Sequence, residues 1–195
     1  MKAKIHIFFV FLLLSSISSL AAYKIDIYNA YLNQDMTKWK TVIDQMEKKT
    51  EKTDKLRLQI VNYQYGYIVH LLEKKKDDEV KKYLELARKH LEELEKTKSN
   101  SSQVNAYKAI FYGFEISLST WKAAILGPKS LEAAKQAIED DPTNANAYIL
   151  YGHIQRMMPS AFGGSVEEGM KNYKKALTLM EKKPILLKSD WYYLA

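Results

Sequence analysis

The chain has 195 residues, of which 47% are hydrophobic and 27% charged, and its formal net charge is +7. It contains no cysteine, which excludes disulfides, a thiol nucleophile and thiolate metal ligands. The positive charge does not indicate a nucleic-acid partner, because lysines follow acids at four-residue spacing, as in Glu85 with Lys89 and Glu92 with Lys96. This pattern is typical of solvated helix faces.

Residues 1–21 have the pattern of a signal peptide. Lys2 and Lys4 precede an apolar run over 5–14, and serines then lead to small residues suited to cleavage near Ala21 or Ala22. The alternative is an uncleaved membrane anchor, since residues 5–22 lack charge, but this window contains four serines and barely reaches the length of a membrane span. We therefore expect export to the periplasm or the extracellular space, with no membrane insertion of the remaining domain, 22–195.

Helices are predicted for the whole remaining chain. Glycine and proline are scarce, with 7 and 4 copies, and apolar residues recur at intervals of three and four. Local breaks are Gly127 with Pro128, Pro142 and Pro184. The predicted helices span 24–33, 35–50, 54–75, 77–98, 102–125, 129–140, 144–158 and 165–182, and another begins near Lys188. The predicted fold class is all-α, with about eight helices after the signal peptide and no sheet.

Two sets of positions repeat with identical spacing, offset by 39 residues. The first set is Gly113, Ser130, Ala134 and Ala137, and the second is Gly152, Gly169, Tyr173 and Ala176. Small residues at such positions allow paired helices to approach closely. We therefore predict two repeats, at about 103–142 and 143–181, preceded by degenerate helical pairs at about 23–100.

The junction between these repeats, "DPTNANAYILYG" at 141–152, resembles that of tetratricopeptide repeats. Ala137 lies five residues before Pro142, and Tyr148 lies four before Gly152. The resemblance implies an antiparallel array of helix hairpins, a tetratricopeptide-like α-solenoid. The period of 39 exceeds the usual 34 of that family, and Sel1-like repeats are the neighbouring possibility.

An enlarged turn within each repeat accounts for the longer period. "PSAFGGS" at 159–165 is predicted to join the two helices of the last repeat, and "ILGPKS" at 125–130 to occupy the equivalent place one repeat earlier. Residues 164–171 approach a phosphate-binding loop, but Met170 separates the glycine from the lysine and Asn172 replaces the hydroxyl residue. We expect Gly163 and Gly164 to serve the turn instead.

No set of residues predicts catalysis or a cofactor. His70 and Glu73, like His90 and Glu93, stand three apart on one helix, but zinc requires three or four converging ligands. Serine, histidine and aspartate do not form a recognisable nucleophile motif. We therefore predict neither metal nor cofactor and a chain that is not an enzyme.

The resemblance to tetratricopeptide repeats also implies a binding surface, because in that family the first helix of each pair lines a concave groove. Relative to Gly66, Gly113 and Gly152, the positions six and three before and one and four after each glycine would face the groove. The predicted contacts to a protein or peptide partner are Tyr63, Tyr67, His70, Tyr107, Phe114, Ser117, Asn146, His153 and Arg156. Two alternatives stay open: an assembly subunit whose groove is filled by itself or a neighbour, and an enzyme with an unrecognised site at the enlarged turns.

Overall fold

A computed structural model describes residues 20–182, which form eight α-helices and contain no strand. Helix α1 covers residues 20–32. The others are α2 (Met36–Glu47), α3 (Asp54–Glu73), α4 (Asp77–Thr97), α5 (Ser101–Leu118), α6 (Ala123–Asp140), α7 (Ala145–Met157) and α8 (Val166–Glu181), with short 3₁₀ turns at Thr120–Lys122 and Ser160–Phe162. The predicted all-α class with about eight helices is confirmed.

Two predictions concern the ends of the chain. Most of the predicted signal peptide, at 1–19, and the helix expected near Lys188 lie outside the described residues. Across residues 20–182, no helix combines the length and the apolar character needed to cross a bilayer.

Side-chain caps explain where several helices begin. Thr53 Oγ1 accepts the Leu56 amide, Asn144 Oδ1 accepts the amides of Asn146 and Ala147, and Ser165 Oγ accepts the Glu168 amide. Each such bond satisfies a backbone donor that has no partner within its helix and contributes about 1 kcal/mol. The capping residues in the sequence therefore fix these boundaries locally.

Helices next to one another in the chain pack against one another: α3 with α4, α5 with α6 and α7 with α8. Helix α5 also contacts α3, α4 and α7, so it lies at the centre of the packing. One core runs from α1 to α7, and its largest fully buried side chains include Tyr63, Tyr83, Tyr107 and Phe111. In the absence of disulfides, this aromatic-rich core provides the main stabilisation of the fold.

The predicted boundary between α5 and α6 was wrong. Helix α5 ends at Leu118 because Ser119 is extended, with φ −159° and ψ 89°. Helix α6 begins at Ala123 and continues through Gly127 and Pro128, which were expected to break it. Pro128 lies in the second turn of α6 and removes only the hydrogen bond to the carbonyl four residues earlier. The helix tolerates this loss because the backbone amides of the first turn already lack partners within the helix. "ILGPKS" therefore lies within α6, and the connection is residues 119–122.

The predicted role of "PSAFGGS" as the link between α7 and α8 is confirmed. Gly163 has φ 92°, a value that favours glycine. A Cβ on Gly164 would lie only 1.8 Å from the Met158 carbonyl oxygen. Ser165 then donates its amide to the Gln155 carbonyl at 2.9 Å, which holds the link against the end of α7. The two glycines thus have a structural explanation in the turn.

The expected close approach at small residues is confirmed in the last pair. In the pair before it, the approach is confirmed at Ser130 and Ala137, which are buried and bonded to α5, and is wrong only at Gly113. A Cβ on Gly152 would lie 2.5 Å from a Tyr173 ring carbon and 3.1 Å from the Gly169 carbonyl oxygen. Helices α7 and α8 therefore approach through these glycines. In contrast, a Cβ on Gly113 would meet no atom within 4 Å. Gly113 borders empty space instead of a neighbouring helix.

Glu47 ties together three helices through a largely buried carboxylate. Its Oε1 accepts from Gln64 Nε2 at 2.8 Å and lies 2.9 Å from His90 Nε2. His90 thus pairs with Glu47, while its sequence neighbour Glu93 pairs with Lys96 at 2.6 Å. We infer that the carboxylate satisfies buried polar groups of α3 and α4.

We expect Glu47→Leu to lower the free energy of unfolding by about 1–3 kcal/mol, because Gln64 and His90 lose their acceptor in a buried environment. Urea unfolding followed by circular dichroism measures this loss. Glu51→Leu is the matched control at an exposed site and should stay within about 0.5 kcal/mol of the wild type. Equal unfolding midpoints for the two variants would contradict the role assigned to Glu47.

Candidate functional site

A cavity of about 940 Å³, hereafter the groove, lies between α3 on one side and α7 with α8 on the other. Residues from the end of α1 and from α2 close one part of it. Its principal lining residues are Tyr31, Trp39, Asn62, Tyr63, Tyr65, His70, Asn146, Ile149, His153, Tyr173 and Met180. The lining therefore combines aromatic and aliphatic walls with a few amide and imidazole groups, the composition of a ligand-binding site.

Asn146 is the most unusual residue of the groove. It lies at the second position of α7, where the Asn144 cap fixes the start of the helix. Only 7% of its surface is exposed, and its Nδ2 makes no hydrogen bond among the described residues. A buried donor without an acceptor costs about 1–3 kcal/mol. A ligand oxygen in the groove would supply the missing acceptor.

Asn62 on α3 presents a second amide to the same cavity. The Tyr107 hydroxyl donates to Asn62 Oδ1 at 2.5 Å. Because this bond occupies the amide oxygen, it orients the carboxamide and leaves the Nδ2 hydrogens to serve other acceptors. Helix α5 thus positions a donor on α3.

His153 lines both the groove and a second cavity, which is described below. Its ring is fixed by Tyr173. Its Nδ1 is 2.7 Å from the Tyr173 hydroxyl, and the two rings pack edge to face at 5.4 Å. Burial, followed by the nearby Arg156 charge, lowers the pKa of His153. The imidazole is therefore neutral at pH 7, and when Tyr173 donates to Nδ1 the ring carries its proton on Nε2.

Tyr65 on α3 forms an aromatic wall of the groove on the side opposite α7 and α8. Its ring stacks on Phe114 at 5.8 Å and packs against Tyr107 at 6.1 Å. Burial, with a smaller contribution from Tyr173, raises the pKa of Tyr65 to about 12. The hydroxyl thus stays protonated and uncharged at physiological pH.

The second cavity, hereafter the apolar pocket, has a volume of about 490 Å³ and lies among the end of α3, the start of α4, α5, the start of α6, the end of α7 and the 3₁₀ turn at Ser160–Phe162. Its principal lining residues are Leu72, Ile110, Gly113, Phe114, Ile116, Ser117, Ala123, Ile154, Met157, Met158 and Phe162, and two exposed charged residues, Lys75 and Asp77, also line it. His153 lines both the apolar pocket and the groove. The two cavities therefore adjoin at this side chain.

The predicted contact residues divide into those that line the groove, those that line the apolar pocket and those that line neither cavity. Tyr63, His70, Asn146 and His153 line the groove, and Phe114 and Ser117 line the apolar pocket together with His153.

Tyr67, Tyr107 and Arg156 line neither of these two cavities. Tyr67 packs edge to face on Tyr83 at 4.9 Å, and Tyr107 is only 1% exposed. Arg156 is exposed, with its guanidinium 5.9 Å from the Tyr173 ring. The repeat register therefore places some of these positions in the core or beside α8. Whether any of the nine contacts a ligand stays a prediction.

Sequence analysis missed Asn62, Tyr65 and Tyr173. Tyr173 belongs to the second helix of its pair, whereas the resemblance assigned the groove to first helices only. Asn62 lies one residue, and Tyr65 two residues, from the nearest positions mapped around Gly66. The clustering of polar and aromatic residues at 62–67 was the available signal.

Within residues 20–182, no three histidine, aspartate or glutamate side chains are placed to share a metal ion. Comparisons with protein-family models, with curated proteins and with solved structures find no match for this chain.

The lowered pKa of His153 predicts a pH-dependent stability. The unfolded imidazole, with a pKa of about 6.5, binds its proton before the folded one as the pH falls, so the free energy of unfolding decreases below about pH 6.5. We expect the melting temperature of the wild type to fall more than that of His153→Gln between about pH 8 and about pH 5. Parallel pH profiles for the two proteins would argue against a buried neutral imidazole.

Proposed function

We propose that this chain is an exported, non-catalytic helical-repeat scaffold, similar to tetratricopeptide-repeat proteins, that binds a peptide segment of a protein partner in the groove. The pattern of residues 1–21 supports export. The repeated spacing supports the repeat family, together with helices that pack pairwise and the contact of α5 with α7.

The observation on which the binding role depends is the buried Nδ2 of Asn146, which has no acceptor among the described residues and lines the groove. Asn62 Nδ2, and His153 Nε2 when Tyr173 donates to Nδ1, add donors to the same cavity. Donors of this kind match the carbonyl oxygens of a peptide backbone, while aromatic and aliphatic walls match its side chains.

The charge of the groove favours a peptide over an anionic metabolite. Among its described lining residues, the groove has one acidic residue, Glu73, and one lysine or arginine, Lys74. Both side chains are exposed. Phosphate groups are normally bound by clusters of arginine or lysine, or by the backbone donors of a helix N-terminus. Among its described lining residues the groove has no cluster of arginine or lysine, and the Asn144 side chain already accepts the Asn146 and Ala147 amides at the start of α7.

The dimensions suit a short extended segment. The residues of α3 that line the groove, from Asn62 to Glu73, extend over about 17 Å, since an α-helix rises 1.5 Å per residue. An extended chain advances about 3.3 Å per residue, so about five residues could lie along this wall.

Selection from a library of random dodecapeptides displayed on phage tests the proposal, with residues 22–195 as the immobilised protein. We expect a consensus sequence to emerge with the wild type and to be lost with Asn146→Leu, which removes the donor at similar size. Asn105→Leu is the matched control, because Asn105 donates to Asp140 at an exposed site and lines none of the cavities described above. The proposal fails if no consensus emerges, or if Asn146→Leu selects the same peptides as the wild type.

A second candidate is an assembly subunit whose groove is occupied by another copy. It is favoured by Ile25 and Leu32 of α1, which are 61% and 58% exposed although large and apolar. Light scattering at two protein concentrations distinguishes the candidates. Assembly predicts a molar mass that rises with concentration and falls after Ile25→Ser with Leu32→Ser, whereas a peptide-binding monomer predicts a constant mass.

A further inference from the structure

We propose that the apolar pocket receives one bulky apolar side chain, such as leucine, methionine or phenylalanine, from the peptide whose backbone lies in the groove. This inference rests on the proposed function, and it assigns a specificity to the bound peptide.

The continuity of the two cavities is the first argument. His153 lines both, and its ring is fixed by the 2.7 Å contact with Tyr173. A side chain that leaves the groove past this ring meets Phe114 and Ile154, which also line the apolar pocket. A backbone held by Asn146 and His153 on α7 thus has an apolar cavity beside it.

Gly113 provides the second argument. It lies in the interior of α5, where glycine costs about 0.5–1 kcal/mol relative to alanine. No neighbour requires this glycine, because a Cβ would meet nothing within 4 Å. The missing side chain leaves part of the apolar pocket open.

Exposed apolar residues around the pocket give the third argument. Met157 is 84% exposed and Phe162 56% exposed, and both line the pocket. A concentration of exposed apolar side chains at a cavity indicates a surface that a partner covers. Methionine can adapt its shape to different apolar groups.

A peptide side chain fits these observations better than a free hydrocarbon chain does. The adjoining groove offers neutral hydrogen-bond donors from Asn62, Asn146 and His153. A hydrocarbon would leave the buried Asn146 donor unpaired, whereas a peptide pairs it through its backbone and fills the apolar pocket with a side chain.

Gly113→Leu and Gly113→Ala form a matched pair of variants for the test. Leucine extends into the apolar pocket, whereas alanine removes the glycine but fills little of the cavity. Both variants retain the fold if their circular dichroism spectra match that of the wild type and their melting temperatures are at least as high.

Peptide selection with each variant gives the decisive result. We expect the wild type and Gly113→Ala to select one position rich in leucine, methionine or phenylalanine, and Gly113→Leu to replace it with small residues. The affinity of Gly113→Leu for a peptide selected by the wild type should fall by about 10- to 100-fold, the loss expected when one such side chain is no longer buried. An unchanged bulky position with Gly113→Leu would overturn the inference while leaving the proposed function intact.

The fluorescent apolar dye N-phenyl-1-naphthylamine separates the remaining outcomes. Its displacement by the selected peptide from the wild type, with loss of dye binding in Gly113→Leu, supports the inference. If the wild type binds the dye but selects no peptide, the proposed function fails and the apolar pocket serves a free apolar ligand. If dye and peptide bind together without competition, the inference is overturned and the groove retains its role.

Discussion

Gly152→Ala is expected to lower the free energy of unfolding by about 1–3 kcal/mol, the usual cost of overpacking, although alanine favours helices more than glycine does. The added Cβ would lie 2.5 Å from the Tyr173 ring and 3.1 Å from the Gly169 carbonyl oxygen. The ring is held by its contact with His153, and the carbonyl belongs to the backbone of α8. Relief therefore requires the two helices to separate.

Gly113→Ala is the control, at the equivalent position one repeat earlier. With no atom within 4 Å of its Cβ, this variant should gain about 0.5–1 kcal/mol from helix propensity alone. Urea unfolding of both variants measures the difference. Changes of the same sign would contradict the packing described at one of the two glycines.

Asn146→Leu is expected to raise the free energy of unfolding by about 1–3 kcal/mol, because it removes a buried donor that lacks an acceptor. The same substitution should abolish binding of a selected peptide, since the amide would be the donor to the peptide backbone. A gain in stability with a loss of binding is the behaviour expected of a residue retained for function.

Thermal unfolding and isothermal titration calorimetry of the same Asn146→Leu preparation measure the two effects. Asn105→Leu, whose amide is already bonded to Asp140, should lose a little stability and keep full affinity. If Asn146→Leu is destabilised, the amide has a structural role and the groove loses its strongest argument.

The helical fold could be predicted because its signals are local. The caps at Thr53, Asn144 and Ser165 lie immediately before helices in the sequence, and the scarcity of glycine and proline left few places for breaks. The end of α5 could not be predicted. It depends on an extended Ser119, and on the helix tolerating Pro128 in its second turn.

The candidate site was predictable only where the predicted repeat register coincides with a cavity wall. The register brought Asn146 and His153 to the groove, but the same rule selected Tyr107, which is buried and supports Asn62 from α5. Aromatic residues at helical spacing serve the core and a groove equally well, so their type does not distinguish the two. The orientation of Asn62 depends on a hydroxyl 45 residues away, a contact that the sequence pattern does not encode.

The apolar pocket was also absent from the sequence interpretation. Gly113 and Gly152 occupy equivalent positions, and spacing alone assigned them the same role in helix packing. The structure separates them, because Gly152 faces Tyr173 whereas Gly113 faces a cavity. Sequence segments that share a spacing can therefore differ in what their small residues accommodate.

Nuclear magnetic resonance of the side-chain amides tests the groove most directly. In ¹⁵N-labelled protein titrated with a selected peptide, we predict that the Nδ2 resonances of Asn146 and Asn62 shift downfield as they gain acceptors, while that of Asn105 stays in place. Shifts confined to Asn105 or to other residues outside the groove, with Asn146 unchanged at saturation, would contradict the proposed binding site.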